Sequence, residues 1–301
     1  MKTINETDNN LMTPESFPLV SVLMTAYNRE EYIAEAIESV LASTYKNFEL
    51  IIVDDCSIDS TVQIARDYQT KDDRVKVYVN EKNLGDYPNR NKAAALAQGE
   101  FLMFVDSDDK ILFDGIEKCI KTMELFPQAF FGMFYLNLKR DPFVLNSKEA
   151  IQKHFFEGSF LSVGPGGTII KRSFFEQINK YPVSYGPAND MYFNLKAVCY
   201  SPIVLLPFIF FFYRMHDGQE FNNKYSYLIN SWQYLKDALQ QLPLPISEKQ
   251  KKWISKKNKR RFVVNIFKYF FKTFDIVKTT NAIRQANFSF KDALEGIFHF
   301  N

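Results

Sequence analysis

A regular alternation of short apolar runs with helix-forming segments in the first hundred residues constrains the fold most. Runs of large apolar residues predict strands at 19–25, 48–53, 75–79 and 101–105. Helical spacing or Ala-rich composition predicts helices between them, at 29–43, 59–68 and 89–97. Strands that alternate with helices form βαβ units, and nearly continuous apolar strands fit a parallel sheet covered on both faces. The sequence therefore predicts an α/β fold.

Polar residues directly follow three of the four predicted strands. They are Thr25-Ala-Tyr27-Asn28 after the first, Asp54-Asp55 after the second and Asp106-Ser107-Asp108-Asp109 after the fourth. Open α/β sheets bind ligands in a crevice beyond the carboxyl ends of their strands. If these strands are neighbours in the sheet, we expect the three polar groups to meet in one crevice.

The Asp106-Ser-Asp108 segment carries the clearest chemical signal. Two carboxylates one residue apart at a strand end can surround a small cation, and oxygen-only ligands suit Mg²⁺ or Mn²⁺ better than Zn²⁺. Such a cation takes further ligands from substrate phosphates and could neutralise a departing diphosphate. An isolated Asp-x-Asp is more commonly a solvated turn, but the second acidic strand end at Asp54-Asp55 favours a ligand site.

Several function classes lack their sequence signals. The chain has no Gly-x-Gly-x-x-Gly after the first strand, no phosphate-binding P-loop and no Gly-x-Ser-x-Gly elbow. Dinucleotide oxidoreductases, P-loop enzymes and serine hydrolases are therefore disfavoured. The formal net charge of +2 argues against a general nucleic-acid binder, so no nucleic-acid partner is predicted.

The compartment is predicted from cysteine usage and hydropathy. Three widely spaced cysteines without a Cys-x-x-Cys pair indicate reduced thiols in the cytoplasm. Residues 1–15 lack an apolar signal core, and the longest apolar run, 203–213, is too short for the roughly 20 residues of a membrane span. We expect a cytoplasmic protein, with the inner face of the cell membrane as a further option.

Three segments carry a resemblance to a known family. Residues 18–28 (PLVSVLMTAYN), 53–61 (VDDCSIDST) and 104–109 (FVDSDD) resemble the motifs of family-2 glycosyltransferases. The resemblance covers roughly residues 18–217 and implies the GT-A fold and an inverting transfer of sugar from a nucleotide-sugar donor, with a UDP-sugar as the expected donor. It implies a saccharide or lipid-linked acceptor. Processive members carry a Gln-x-x-Arg-Trp motif and membrane helices, which are absent here, so a non-processive bacterial type is expected.

The resemblance also implies roles for residues on the nucleotide side. Thr25, Tyr27 and Asn28 match the nucleotide contacts of the first strand, with the Tyr27 ring stacked on the base. Asp55 matches the carboxylate that accepts a hydrogen bond from a uracil ring. Arg90, within a segment that resembles the pyrophosphate-passing region, is a candidate charge partner for the diphosphate.

The metal side is assigned from the same resemblance. Asp106 matches the carboxylate that faces the ribose and a metal-bound water, and Ser107 belongs to the same donor-binding segment. Asp108 matches the metal ligand, and Asp109 is expected to assist it. His216, in an Arg-x-His sequence after the last strand, is a candidate metal or diphosphate contact, although a lone His is more often an ordinary polar residue.

Inversion needs a base that takes the proton of the acceptor hydroxyl. Asp190 lies where the family usually has Glu-Asp at a helix start, and Asn189 replaces the Glu. Asp190 is the predicted base, with a helix N-cap as the alternative interpretation. A position at a helix N-terminus is expected to stabilise the ionised carboxylate and to lower its basicity. Gly166 and Gly167 match an acceptor-side loop, and an ordinary turn is the alternative.

The C-terminal part of the chain differs from the rest in charge. Residues 248–278 carry eleven basic residues against two acidic ones, a net +9 that leaves −7 for the remainder. The predicted organisation is a disordered tail at 1–17, a GT-A domain at 18–217 and a helical extension at 218–301. An apolar helix face is predicted for Val263, Phe267, Phe270, Phe274 and Val277, and the apolar arc is widened by Phe262, Ile266, Tyr269 and Phe271 until only a narrow polar stripe is left. Packing against the protein's own domain is the first interpretation, and docking on anionic lipid is the second.

Two functions from other classes stay open at the sequence level. A GT-A-like nucleotidyltransferase would make nucleotide sugars, but such enzymes normally carry a Gly-rich loop with Arg where this chain has Thr25-Ala-Tyr-Asn28. A non-catalytic nucleotide-sugar-binding subunit is the other, and the retained acidic residues argue against it.

Overall fold

The computed structural model describes residues 17–136, 141–216 and 224–298. These residues form one large mixed sheet, a short two-stranded ribbon and eleven α-helices. The strands of the large sheet are β1 (Val20–Ala26), β2 (Phe48–Asp54), β3 (Val75–Val79), β4 (Phe101–Phe104), β6 (Phe131–Phe134), β7 (Phe143–Leu145), β8 (Thr168–Lys171) and β9 (Ile203–Leu206). The ribbon pairs β5 (Lys110–Ile111) with β10 (Phe211–Phe212) in antiparallel fashion.

The helices flank the sheet and then continue into a C-terminal helical region. In the α/β part they are α1 (Ile33–Leu41), α2 (Thr61–Gln69), α3 (Asp86–Leu96), α4 (Gly115–Glu124), α5 (Ser147–Gln152), α6 (Arg172–Gln177) and α7 (Asn189–Tyr200). In the C-terminal part they are α8 (Lys224–Gln241), α9 (Glu248–Thr273), α10 (Ile276–Gln285) and α11 (Phe290–Ile297).

The strand order of the large sheet is β3-β2-β1-β4-β8-β6-β9-β7. The strand β1 pairs in parallel with β2 on one side and with β4 on the other. Only β8 and β7 run against the other strands of this described sheet. The predicted α/β fold is confirmed, and the three strands with polar ends are direct neighbours. Their carboxyl ends therefore lie side by side, as the crevice hypothesis requires.

The four predicted strands and three predicted helices are all present, with shifts at their ends. The helix α1 begins at Ile33 rather than at residue 29, because the backbone at 29–32 forms a turn. The helix α2 begins at Thr61, and Asp59 accepts a hydrogen bond from the Thr61 amide at 3.0 Å without being the N-cap residue. These are the end positions that local patterns determine least well.

The inner strands are buried on both faces, as their unbroken apolar sequences predict. Leu23 and Ile51 pack into the layer on one face of the sheet, whereas Met24 and Ile52 pack into the layer on the other face. All four side chains are fully enclosed. Burying an aliphatic side chain of this size contributes about 1.5–3 kcal/mol, so these strands form a rigid base for the residues at their ends.

The C-terminal helices are joined to the α/β body through a shared core. Tyr234, Leu235 and Leu239 of α8 belong to the same apolar cluster as the sheet residues and α7. The first half of α8 contributes Trp232 to a second cluster, which includes Phe262 of α9. The predicted division at residue 217 therefore separates segments whose side chains pack together. Residues 217–223 and nearly all of the predicted tail at 1–17 lie outside the described residues.

The predicted apolar arc is buried only in part. Phe262, Val263 and Ile266 of that arc are buried, whereas Phe267 is 54% exposed and Phe274 is 73% exposed. The helix α9 also ends at Thr273, so Val277 lies in α10 rather than on the same helix face. Aromatic residues surround much of this helix, so two overlapping apolar arcs fit the same spacing. Contacts with α8 and α11 decide which arc is covered. No helix in the described ranges has the length and apolar content needed to cross a bilayer.

Candidate active site

An acidic turn at the carboxyl end of β4 forms the centre of the crevice. One carboxylate oxygen from each of Asp106, Asp108 and Asp109 lies within 4.8 Å of the others. The backbone amide of Asp109 donates to the Asp106 carbonyl at 2.9 Å, which closes the turn and directs the three side chains toward one point. The sequence prediction that Asp106 and Asp108 lie together is consistent with this arrangement.

Arg90 supplies a positive charge beside this turn, at the position predicted for a diphosphate partner. Its Nη1 lies 2.7 Å from Asp106 Oδ1, and its Nε donates to Asp86 Oδ1 at 2.8 Å. The guanidinium lies between the rings of Tyr87 and Phe104, 5.8 and 5.9 Å from their centroids. Both atoms of this ion pair are buried, so each is the partner of the other. A ligand that binds to Arg90 or to this oxygen of Asp106 would compete with the pair.

Asp108 is held by two side chains that arrive from different parts of the sequence. Its Oδ2 accepts a hydrogen bond from Arg29 Nε at 2.9 Å and lies 3.0 Å from His216 Nε2. The His216 ring stacks on Tyr32 with centroids 4.9 Å apart. The structure thus brings His216 to the acidic turn, and its contact with a metal or diphosphate stays a prediction. Sequence reasoning missed Arg29, although a cation immediately after Asn28 at a strand end was a usable signal.

The electrostatics of the turn fit a bound cation. Burial and the nearby charges of Asp106 and Asp108 raise the pKa of Asp109 to about 7. Its Oδ1 accepts the backbone amide of Arg214 at 2.9 Å, which partly offsets this shift. Three crowded carboxylates repel one another, and a divalent ion among them would remove that repulsion and lower the pKa. The donor set of three carboxylates, one oxygen from each within 4.8 Å of the others, fits Mg²⁺ or Mn²⁺.

Asp55 lies at the end of β2 and organises the loop before α3. Its Oδ1 accepts from Asn80 Nδ2 at 2.7 Å and from the Leu84 amide at 2.8 Å, and its Oδ2 accepts from the Gly85 amide at 2.9 Å. An ionised carboxylate has about four acceptor positions, so one position on Oδ2 is left over. The predicted base contact is compatible with this geometry and stays a prediction.

The end of β1 exposes the ring of Tyr27 and, through Asn28, holds the loop after β2 in place. Tyr27 is 46% exposed, which suits a ring that stacks on a base, and Thr25 is partly exposed beside it. Asn28 has a φ of 52°, and its Oδ1 accepts the Ile58 amide at 3.0 Å. Asp54 likewise accepts the Ser57 amide at 2.8 Å. The side chains of Asn28 and Asp54 are therefore used to fix the loop after β2.

Asp190 lies in the first turn of α7, close enough to Arg90 to feel its charge. A Cβ placed on Gly164 would lie 3.8 Å from Asp190 Oδ2, and one on Gly166 would lie 3.7 Å from the carbonyl oxygen of Phe104 at the end of β4. The loop that contains these glycines therefore connects Asp190 with the strand that leads to the acidic turn. Ser107 of that turn is buried.

The basicity of Asp190 differs from the expectation. The helix N-terminus was expected to lower its pKa, but burial raises the pKa of Asp190 to about 7 against the hydrogen bond from the Met191 amide and the charge of Arg90. Asp190 is also not the N-cap, because α7 begins at Asn189 and its N-cap residue is Ala188. Desolvation outweighs the helix-end effect because the carboxylate is enclosed rather than solvated.

Two other predicted acceptor-side residues hold the local backbone. Asn189 is buried, its Oδ1 accepts the Tyr185 amide at 2.9 Å, and its Nδ2 donates to the Gly186 carbonyl at 2.7 Å. A Cβ on Gly167 would lie only 2.3 Å from Val163 Cγ1, so this glycine is required for packing. An acceptor contact by either residue stays a prediction.

The C-terminal helix α8 supports the segment that leads to Asp190. Tyr185 donates to Asp237 Oδ2 and Tyr192 donates to Gln241 Oε1, each at 3.0 Å. The two tyrosine rings stack with centroids 4.9 Å apart. The C-terminal extension therefore contributes to the position of the candidate base, a contribution that no local sequence pattern predicts.

Gly186 lies where the segment before α7 contacts α8, so a substitution there tests whether this contact stabilises the protein. Its φ is +48°, and a Cβ there would lie 2.6 Å from Asn230 Nδ2 of α8. Gly186→Ala is expected to lower the free energy of unfolding by about 1–3 kcal/mol, since overpacking and left-handed strain both destabilise. Urea unfolding measures this change. Adding Asn230→Ala removes the clash but not the strain, so partial recovery is expected, and an unchanged stability of the single variant would contradict the packing described.

Comparisons with known proteins support an assignment to a family. The sequence profile of the family described as "Glycosyl transferase family 2" matches residues 21–178. An uncharacterized glycosyltransferase, MJ1057 of Methanocaldococcus jannaschii, is 32% identical over 268 residues, which are 85% of each chain. The putative teichuronic acid biosynthesis glycosyltransferase TuaG of Bacillus subtilis is 44% identical over 106 residues. That match spans 35% of this chain and only 42% of TuaG.

Two solved structures share the fold. TarS 1–349 of S. aureus, in complex with UDP-GlcNAc, superposes with a TM-score of 0.68 at 20% identity, covering 89% of this chain and 80% of that one. The mannosyltransferase PcManGT of Pyrobaculum calidifontis, in complex with GDP-Man and Mn²⁺, superposes with a TM-score of 0.62 at 14% identity, covering 93% and 79%. At these identities the likeness shows the GT-A fold alone. The profile match and the full-length relative show that this chain is a glycosyltransferase of family 2.

Proposed function

We propose that this enzyme moves one sugar from a UDP-sugar to a hydroxyl group of a saccharide or lipid-linked acceptor, with inversion at the anomeric carbon and with Mg²⁺ or Mn²⁺ bound. The observation that carries the proposal is that Arg90 links two carboxylate groups. It pairs with Asp106 of the acidic turn at the end of β4, and its charge also acts on Asp190, which lies beside the loop at 164–167. The first group suits a diphosphate, and the second suits a hydroxyl that loses its proton.

The donor side would hold the ion through Asp106 and Asp108, with Asp109 and His216 next to them. A bound divalent ion neutralises the charge that develops on the departing diphosphate. Arg90 adds a fixed positive charge, and its buried position between two rings keeps it in place without reorganisation during the reaction. Tyr27 and Asp55 are proposed to bind the base of the nucleotide. A neighbour of the same fold binds GDP-Man and Mn²⁺, and another binds UDP-GlcNAc.

The acceptor side depends on Asp190. A carboxylate whose pKa lies near 7 is ionised in half of the molecules at neutral pH and is a stronger base than an ordinary aspartate. Its carboxylate would accept the hydroxyl proton as the acceptor oxygen attacks.

The donor and the metal can be tested together by thermal shift. UDP, GDP and their sugar conjugates would each be added with Mn²⁺, with Mg²⁺ or with EDTA. A ligand that binds the native state raises its melting temperature. We expect a shift for uridine nucleotides that requires the divalent ion. A shift of the same size for guanosine nucleotides, or one that persists in EDTA, would contradict the proposed donor or the proposed metal.

The pKa of Asp190 leads to a pH dependence of turnover. The base must be unprotonated, so kcat is expected to fall as pH falls through about 7 and to level off above it. The measurement is kcat between pH 5.5 and 8 at saturating donor, acceptor and metal. Donor binding is measured over the same range as a control, because titration of the acidic turn would appear there. A kcat that does not change across this range would contradict the assignment of Asp190.

The remaining proposals concern class and location. A nucleotidyltransferase would form the nucleotide sugar from a sugar phosphate, so the absence of nucleoside-triphosphate turnover is expected. A binding subunit would not consume the donor, so release of UDP from a UDP-sugar would distinguish it. Cys56, Cys119 and Cys199 are all free thiols, which supports the proposed cytoplasmic location.

A further inference from the structure

The second half of α9 and the start of α10 expose an unusual amount of apolar surface. Phe267, Phe271, Phe274, Ile276 and Val277 are 54%, 63%, 73%, 64% and 69% exposed. We call these five residues the aromatic patch. The rings of Phe267 and Phe271 lie one turn apart with centroids 6.4 Å apart. The Phe270 ring connects them to Phe274, with centroids 5.5 Å from Phe271 and 6.0 Å from Phe274, and Ile276 and Val277 follow directly in the sequence. Contiguous exposed apolar surface of this kind marks a binding surface more often than ordinary exterior.

Positive charges lie within and beside the aromatic patch. Lys268, Lys272 and Lys278 are exposed. In the described ranges Lys268 and Lys272 form no ion pair, and Lys278 has only a long contact of 3.8 Å with Asp275. Asp275 is the N-cap of α10, where it accepts the Lys278 amide at 2.8 Å. The surface is therefore apolar and cationic at the same time.

A groove adjoins the patch between α8 and α9. Its volume is about 340 Å³, and most of its surface is apolar. It is lined by Tyr227, Leu228, Ser231, Asn265, Lys268, Tyr269 and Lys272. Lys268 and Lys272 supply the positive charge that an anionic phosphate group beside an apolar chain requires. The same two lysines thus border both the groove and the apolar surface.

We propose that this surface binds an anionic lipid bilayer, with the aromatic patch at the level of the acyl boundary and a phosphate headgroup in the groove. Interfacial helices combine these two features, since aromatic side chains enter the headgroup boundary while lysines attract anionic lipids. A second copy of this chain fits less well. A two-fold axis through the patch would bring its lysines close to those of the copy, and like charges there repel. The inference does not depend on the proposed donor or acceptor.

Co-sedimentation of the full chain with vesicles tests the inference. The vesicles are either pure phosphatidylcholine or a mixture with about one third phosphatidylglycerol, each at 50 and 500 mM NaCl. We expect binding to the anionic vesicles at low salt, and much weaker binding at high salt or to the neutral vesicles. At 500 mM NaCl surface charges are screened over a few ångströms, whereas at 50 mM the screening length is more than about 10 Å, and the neutral vesicles carry no net charge that would attract the lysines. Equal binding to both vesicle types, or no binding to either, would overturn the inference.

Two double variants separate the contribution of positive charge to vesicle binding from that of apolar surface. Lys268→Gln with Lys272→Gln is expected to weaken binding roughly 25-fold, about fivefold for each lysine. Phe267→Ser with Phe271→Ser removes the apolar part and is expected to weaken binding to the anionic vesicles at both salt concentrations. The matched control is Phe113→Ser with Leu125→Ser, which removes two comparably exposed apolar side chains, 65% and 71%, from the α/β body. Loss of binding in the control as well would overturn the assignment to this surface.

Self-association and folding are checked with the same proteins. Analytical ultracentrifugation without vesicles is expected to show no dimer that depends on the aromatic patch, and a dimer lost in the phenylalanine variant would overturn the inference in favour of a second copy. All variants change exposed side chains, so their melting temperatures should stay within a few degrees of the parent. Donor binding should be unchanged in every variant, which keeps a failure here distinct from a failure of the proposed reaction.

Discussion

Asp190→Asn is expected to lower kcat by about 10²–10⁴-fold, the usual contribution of a positioned general base. The amide has nearly the same shape but cannot take the proton of the acceptor hydroxyl. It can still accept the Met191 amide through its oxygen, so α7 should keep its start. The affinity for the donor should change by less than about twofold, since the acidic turn and Arg90 are untouched. Steady-state transfer kinetics and calorimetric titration of the donor measure the two quantities.

A control for this variant is Glu176→Gln. Glu176 is an exposed carboxylate near the end of α6, and its Oε1 lies 3.7 Å from Arg172 Nη1. Glu176 has no assigned part in the proposed reaction. The substitution removes the same charge and should leave kcat nearly unchanged. Transfer at the parental rate by Asp190→Asn would remove Asp190 from the mechanism. A parallel loss of donor affinity would show instead that Asp190 helps to build the donor site.

Asp108→Ala is expected to lower kcat/KM by about 10³-fold, because a metal ion contributes several kcal/mol of charge stabilisation in the transition state. The change also leaves Arg29 and His216 without the oxygen that they share. The metal-dependent part of donor binding should disappear. Titration of Mn²⁺ in the presence of UDP, followed by calorimetry, measures this loss directly.

Asp67→Asn provides the matched control for the metal ligand. Asp67 is an exposed carboxylate of α2 that accepts a hydrogen bond from Gln63 at 2.8 Å. Its variant should bind Mn²⁺ and UDP like the parent. Metal binding that survives in Asp108→Ala would contradict the role of Asp108 and would direct attention to Asp106 and Asp109 as the sufficient ligands.

Much of the fold could be predicted from local sequence because the inner strands are apolar on both faces. An unbroken run such as 48–53 can satisfy its side chains only in a covered sheet, and the helices between such runs imply parallel pairing. The three polar strand ends followed from the same reasoning, and the resemblance to the family placed Asp106, Asp108 and Asp190. The order of β2, β1 and β4 then confirmed that these ends are neighbours.

Other parts of the site could not be predicted because they depend on contacts between distant segments. Arg29 meets Asp108 across 79 positions of sequence, and Arg214 meets Asp109 across 105. The helix N-terminus was expected to lower the pKa of Asp190, but burial raises it. The burial of a side chain cannot be predicted from its spacing in the sequence. Which side of α9 is buried could not be predicted for a similar reason. Apolar residues surround much of this helix, and the contacts with α8 and α11 decide which of them are covered.

The sequence by itself determined the α/β architecture, the family and the group of carboxylates, because these depend on side-chain type and on spacing within a few residues. The tertiary structure decided how these residues act. It placed Arg90 against Asp106, raised the basicity of Asp190 by desolvation, and used α8 to support the turn that leads to α7. It also left the aromatic patch exposed on the most basic segment of the chain. Burial and charge proximity are properties of the folded chain, so they appear only when distant segments pack together.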